Sequence, residues 1–382
     1  MRVAVVGAGV LGASTAFHLA LAGAEVMLVD GAHPGQATSA GAGIICPWAS
    51  EGVDDDWHAI ARAGARYYPP LIALLADHGQ GDIGYRRVGA LAVSPDPAEL
   101  DHVERIVLAR RAGAAELGEV ARLSPGEARP LFPPLHPALA AVRIGGGARV
   151  DGRRLAAALR GAAERRGARI LGGAAELLAG CGRVTGIRVG AESLAADAVV
   201  ATAGAWAPAL LKPVGIALAV RPQRGQITHL CLEGAETGAW PVILPPGSHY
   251  LVAFEAGRVA VGATRESGAG FDNHVTASGQ AEVLNQALAV APGLGPARLV
   301  ETRVGLRPVG PDARPMLGRV AGLDGLVIGN GLGPSGLTIG PYAGRLLAQE
   351  VLGQQPDMDL APYDPLRQQP VGTMSSDTGA IR

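Results

Sequence analysis

Lysine is almost missing from this chain: of 33 basic residues, all but Lys212 are arginine. Schiff-base catalysis, Walker-type phosphate binding and lysine-assisted oxygen activation would all have to fall on that one residue. Lys212 precedes Pro213 in "ALLKPVG", a setting that suits a cation at a helix C-terminus. Cysteine is as sparse. Cys46, Cys181 and Cys231 are odd in number and far apart, and no Cys-x-x-Cys or His-x-x-x-His spacing occurs. Neither a disulfide framework nor a metal site is indicated, and a reducing, cytoplasmic setting fits. A G-x-S-x-G nucleophile elbow is absent too. The formal net charge is −1, with no basic run, which argues against nucleic acid as a partner.

Charge is missing altogether from Val3 to Ala24, a stretch that follows "MR" and has the look of a secretory signal or a membrane span. Its glycines, Ser14, Thr15 and His18 lower its hydropathy, and cleavage near Ala22 would cut through a motif that is otherwise complete. We read it as part of the fold. At 382 residues and 48% hydrophobic content, the chain is long enough for two cores.

That motif is G-x-G-x-x-G at Gly7, Gly9 and Gly12, directly after Val3-Ala4-Val5-Val6, with a second apolar run, Val26 to Val29, ending in Asp30. The pattern is strand, tight turn, helix, strand. Gly7 permits the turn, Gly9 lets backbone approach a pyrophosphate, and Gly12 lets helix pack on strand, while the helix start offers N–H groups and positive dipole. Asp30 is placed to accept hydrogen bonds from a ribose. With 56 glycines in the chain the motif alone is weak evidence, and the flanking strands and the acid give it weight. It predicts dinucleotide binding without saying which dinucleotide.

Farther along, α/β patterning is interleaved with other material. Residues 57–141 carry helical patterns and a Pro-rich stretch and suggest an inserted cap. Asp151 is a candidate N-cap for a helix with Leu155, Leu159 and Ala162 on one face. Residues 217–265 read as strands, with "HYLVAF" and "RVAVGAT" joined by the short connection "EAG". A strand, a glycine-rich turn and a long helix follow in "GLVIGNGLGPSGLTIGPYAGRLLAQEVLG", and the composition after Gly353 suggests a loose tail.

Five segments in order, "VGAGVLGAS…VD", "ATSAGAGII", "VDGRRL", "VVATAGAWA" and "GLRPVGPDARPMLG…GNGLGPSGLTIGP", give the chain a resemblance over nearly its whole length. It resembles the FAD-dependent amino-acid oxidoreductases that include D-amino-acid oxidase, glycine oxidase, sarcosine oxidase and the bacterial D-amino-acid dehydrogenases. The resemblance implies an α/β, overall α+β, architecture in which a Rossmann-like FAD-binding domain (1–48, 142–216 and 306–354) interleaves with a β-sheet substrate-binding or cap domain (49–141 and 217–305), followed by a tail at 355–382.

On matching positions it implies that Gly7, Gly9, Gly12 and Asp30 hold the ADP half of FAD. Thr38, Ser39, Ala40, Gly43, Ile44 and Ile45 would line the pyrophosphate and one side of the flavin, and Ala203, Gly204 and Trp206 the ribityl or adenine region. For Trp206, ordinary core packing is an equal alternative. At Gly333, Pro334, Ser335, Gly336, Leu337 and Thr338, proline suits a helix start, so N–H groups of Ser335 to Thr338 should face the flavin's pyrimidine end and favour its anionic reduced form, by about 0.3–1 kcal/mol and up to about 2. A plain glycine turn is the alternative.

Arg307 in "GLRPVG" matches the carboxylate-binding arginine of glycine oxidase, and its planar fork suits a carboxylate as an ammonium would not. An interdomain salt bridge is the competing role. Tyr250 matches a tyrosine that bonds the same carboxylate, or packs in a core; His249 would point the other way. The implied reaction is oxidative deamination at a CH–NH2 or CH–NH donor: hydride passes from the amine-bearing carbon to flavin N5 and the imine hydrolyses. The implied substrate is a small amino acid, a D-amino acid or an N-substituted glycine, with dioxygen or another electron acceptor.

Pro334 stands where glycine oxidase has an arginine, "AGIICPW" lies closer to the D-amino-acid dehydrogenase-like branch, and no cysteine near 305–340 could tether FAD, so the cofactor is expected to be non-covalent. Peripheral membrane or homo-oligomer contacts stay open. A second possibility is a flavin-bound subunit of a larger complex with no substrate of its own.

Overall fold

The apolar run that opens the chain is the middle of a sheet. In the computed structural model, which describes residues 1–367, strand Arg2–Val6 pairs in parallel with Glu25–Asp30 on one side and Ala198–Ala201 on the other. Both faces are covered, which is why Val3 to Val6 carry no polar alternation. Arg169–Gly172 and Leu326–Asn330 extend this sheet in parallel, and Met316–Arg319 closes one edge antiparallel.

Helix Val10–Leu21 is buried along nearly its whole length, from Val10 to Ala20. A helix apolar all round has to be enclosed, and here helices Gly152–Arg165 and Gly336–Val351 enclose it with the sheet. The Val3–Ala24 stretch is thus the centre of the domain. Among the described residues no helix is long and apolar enough to cross a membrane.

Among the described residues the second large sheet has nine strands, including Arg221–Cys231, Tyr250–Ala253, Arg258–Gly262 and Arg298–Val309. Tyr250–Ala253 and Arg258–Gly262 form the expected antiparallel pair. Asp151 caps helix Gly152–Arg165 by accepting from the N–H groups of Arg153 and Arg154, with Leu155, Leu159 and Ala162 buried. Lys212 is the C-cap of the short helix Ala207–Leu211.

Two expectations shift. The 57–141 segment is only partly helical, because Ala90–Ser94 and Val120–Leu123 join the large sheet, as does Ala140–Ile144, and Arg298–Val309 stays in it past position 306. The sheets therefore exchange chain a few residues later than the 142 and 306 boundaries. The segment after Gly353 is also not loose up to residue 367: Tyr363 is 2% exposed and its hydroxyl donates to the Asp56 carbonyl at 2.7 Å, while Arg367 pairs with Asp312 at 2.5 Å. Residues 368–382 of that expected tail lie outside the described residues.

His18 joins the opening helix to helix Asp55–Asp77, with Nδ1 2.7 Å from the Ser14 carbonyl and Nε2 2.6 Å from the Tyr67 hydroxyl. Burial, aided by the charge of Arg345, lowers its pKa from 6.5 to about 4. The folded state thus keeps the ring neutral where the unfolded chain would protonate it. Stability from this group is complete above the unfolded value of 6.5 and is lost as pH falls through about 4. Thermal unfolding followed across that window should show a falling midpoint, with a shallower slope in His18→Gln. An unchanged slope in the variant would remove His18 from the acid response.

Candidate active site

Between the two sheets lies a cavity of about 440 Å³, at the carboxyl ends of the parallel strands where α/β folds bind ligands. The parallel sheet and its loops bring Gly7, Gly9, Asp30, Thr38, Ala40, Gly43 and Ile44 to it. Ala203, Gly204 and Trp206 line a second side, and Gly333, Pro334, Gly336 and Leu337 a third.

Some residues expected at the ligand stand behind the wall instead. Gly12 packs beneath the turn, where an added Cβ would fall 1.8 Å from the Gly7 carbonyl oxygen. Ile45 is core, the Ser39 hydroxyl donates to the Gln36 carbonyl, and the Thr338 hydroxyl donates to the Ile44 carbonyl. Ser335 does not offer a free N–H, because a 3-10 turn over Gly333–Ser335 directs it to the Leu332 carbonyl at 2.9 Å.

The nucleotide side fits an ADP group. A Cβ on Gly9 would meet only the Thr38 hydroxyl, at 3.2 Å, so bare backbone borders the cavity there. Thr38 Oγ1 accepts from the Val10 N–H at 3.0 Å and fixes the loop against the helix start. Asp30 Oδ1 accepts from the Ala32 N–H at 3.1 Å and from Gln36 Nε2 at 2.9 Å. Among the described residues its second oxygen has no partner, which leaves it for a ribose hydroxyl. Trp206 is half-buried at the rim, stacked on His33 with centroids 4.8 Å apart and tilted against Phe271 at 5.6 Å. It is a wall of the cavity rather than core.

The opposite side comes from the large sheet. Arg307, on strand Arg298–Val309, donates through Nη1 to the Thr264 carbonyl at 3.0 Å and more weakly to Gln223 Oε1 at 3.5 Å. Tyr250 and Arg265 line the same space. Among the described residues neither arginine forms an ion pair with an acid, so the salt-bridge alternative for Arg307 finds no partner there. Burial raises the Tyr250 phenol above its usual value, while the charges of Arg307 and then Arg265 pull the other way. At neutral pH the hydroxyl is a donor. His249 turns toward Glu282 at 3.4 Å, as strand alternation requires.

Arg265, His33 and Gln36 were not evident from sequence. Gln36, six residues past Asp30, lay within reach of a local reading; Arg265 did not, since its facing depends on how distant strands pair.

The family model for FAD-dependent oxidoreductases (DAO) matches residues 2–350. The chain belongs to this family. It is 51% identical to the uncharacterized oxidoreductase YurR of Bacillus subtilis, over 94% of this chain and 97% of that protein, and 33% identical to the glycine oxidase of Pseudomonas aeruginosa, over 95% and 98%. Among solved structures, iminodiacetate oxidase from Chelativorans sp. BNC1 superimposes with a TM-score of 0.93 at 50% identity, over 95% of this chain and 99% of that one. Glycine oxidase from Geobacillus kaustophilus superimposes with a TM-score of 0.85 at 28% identity, over 97% and 100%. The protein is an FAD-dependent amine oxidoreductase.

Asp30→Ala should weaken FAD retention by about ten- to a hundredfold, the range for one hydrogen bond to a charged group. Fluorescence of FAD released on dilution measures it. Retention equal to wild type would show that this carboxylate does not reach the ribose.

Proposed function

We propose that the protein oxidises the carbon between an amine and a carboxylate in glycine-type substrates, N–CH2–COO⁻, with N-substituted glycines included. The observation that carries this is the pair of arginines without acidic partners among the described residues, Arg307 and Arg265, set with Tyr250 across one cavity from a cradle that fits a nucleotide. Glycine and iminodiacetate, for which two of the relatives are named, share that N–CH2–COO⁻ unit.

Each chain group has a physical task. The Arg307 fork presents two parallel N–H donors to the carboxylate, and the Thr264 carbonyl holds Nη1 in place. Arg265, lining the same cavity, adds a second positive charge. Tyr250 keeps its proton and donates it in a hydrogen bond, because burial disfavours the phenolate. Gly7, Gly9, Thr38 and Asp30 would hold the ADP half of FAD, with Gly336 and Leu337 bordering the same space. Bound FAD supplies the two-electron oxidation of the carbon–nitrogen bond, and the imine so formed hydrolyses to an oxo acid and an amine or ammonia. Anchoring the carboxylate on the sheet wall leaves the amine-bearing carbon directed into the cavity, which is the positioning such a reaction needs. A subunit with no substrate of its own would have no use for this clamp.

Anaerobic mixing of the yellow protein with glycine, N-methylglycine and iminodiacetate should bleach the flavin absorbance with at least one of them. Arg307→Leu should weaken that substrate by about thirty- to several-thousand-fold, the effect of removing one member of a buried charge pair, with FAD content unchanged. Loss of flavin with normal substrate affinity would make Arg307 structural.

A further inference from the structure

Strand Arg221–Cys231 carries Arg224-Gly225-Gln226 along the cavity wall. Alternation sends Gly225 to one face of the sheet and its two neighbours to the other. On the cavity face, Gly225 lies beside Ile227. Arg307 pairs in register with Gln223, and its side chain runs diagonally across to cover Gly225. A Cβ at position 225 would fall 2.5 Å from both Nη1 and Nη2 and 2.6 Å from Cζ, and these are its three nearest atoms. Gly225 has none of the positive φ that would itself forbid a side chain. What the glycine supplies is space for one guanidinium.

On the far face, the neighbours fasten the segment that completes the seat. Arg224 donates to Glu266 at 2.6 Å and to Asp272 at 2.6 Å. Gln226 Nε2 donates to Glu266 at 2.7 Å and to Thr276 at 2.9 Å, its Oε1 accepts from the Thr276 N–H at 3.0 Å, and its own N–H goes to the Thr264 hydroxyl at 3.0 Å. The 264–276 segment so held carries both Arg265 and the Thr264 carbonyl that accepts from Arg307.

We propose that Gly225 is a positioning residue, whose missing side chain fixes the direction of the Arg307 guanidinium and thereby the carboxylate-binding geometry. The inference rests on the clamp role given to Arg307 above. A long side chain left unseated spreads over many rotamers, and a seat that admits one direction pre-organises the fork before the anion arrives. Alanine at 225 pushes the guanidinium off the strand and away from the Thr264 carbonyl, because the flexible tip yields before the backbone does.

The test compares four FAD-loaded proteins, wild type, Gly225→Ala, Arg307→Leu and the double variant, titrated with acetate and read from the perturbation of the flavin absorbance spectrum. Gly225→Ala is expected to keep its FAD content and to bind acetate at least about tenfold more weakly, while in the Arg307→Leu background the same substitution adds no further loss. Acetate binding by Gly225→Ala equal to wild type, or losses that add in the double variant, overturns the proposal. If Gly225→Ala fails to fold but the double variant folds, the clash is with the guanidinium and the proposal stands. If neither folds, the strand itself requires the glycine and the proposal falls. Normal acetate binding by Arg307→Leu overturns the clamp and the Gly225 role with it, an outcome distinct from failure at Gly225 alone.

Discussion

Where the opening strand ends, backbone from the first turn and from Thr202 meets more closely than side chains allow. A Cβ on Gly7 would lie 2.5 Å from the Thr202 carbonyl oxygen, and one on Gly12 would lie 1.8 Å from the Gly7 oxygen and 2.4 Å from Thr202 Oγ1. Thr202 uses the approach: its N–H donates to the Val6 carbonyl at 2.8 Å and its hydroxyl to the Gly7 carbonyl at 2.9 Å. Backbone cannot swing aside as a flexible side-chain tip can. This contact seats the buried helix Val10–Leu21 on the sheet, brings Ala203 and Gly204 beside the first turn, and so creates the cavity edge that the nucleotide requires.

The remaining walls are held by polar bonds that span the chain. Proline inside helix Gly336–Val351 cannot donate to the carbonyl four residues earlier, so Pro341 frees the Leu337 oxygen. Tyr68, fully buried on helix Asp55–Asp77, donates its hydroxyl to that oxygen at 2.5 Å. An unsatisfied buried carbonyl would cost about 1–3 kcal/mol, and the tyrosine removes that cost while tying a cavity-lining turn to a helix far away in sequence. Thr338, through its bond to the Ile44 carbonyl at 3.0 Å, ties the same turn to the loop on the opposite flank. Three distant segments therefore keep their spacing even though the loop between residues 35 and 44 is built from small side chains.

What sequence showed, and what it hid, follows from how far apart the cooperating residues lie. Gly7, Gly9, Gly12 and Asp30 fall within one strand–helix–strand unit, the Asp151 cap acts two and three residues on, and the 250–262 hairpin closes over a short turn, so local chemistry was enough. Arg265 was hidden because its facing depends on how the 264–267 segment pairs with Arg221–Cys231, and Gly225 because its place under Arg307 depends on the register of that strand against Arg298–Val309, where a slip of one residue would put the two on opposite faces. Ser335 was misjudged because proline after glycine can begin a 3-10 turn that consumes the next N–H. The segment after Gly353 reads as polar by composition, yet one aromatic, Tyr363, anchors it to Asp56.

The arginine-for-lysine bias has a consequence at the cavity. A guanidinium stays charged throughout the accessible pH range, so two of them near one space cannot relieve their repulsion by losing a proton, as a buried lysine does. The Thr264 carbonyl offsets part of that repulsion for Arg307 by accepting from Nη1, and no acid of the described chain offsets the rest. An anion entering the cavity would offset that remainder. On the clamp role proposed for Arg307, the planar fork seated over Gly225 would fix an arriving carboxylate in orientation as well as in place. The carbon next to that carboxylate would then be held off the sheet wall, so that on this proposal the orientation of the guanidinium, as well as its charge, selects the bond presented to the nucleotide side.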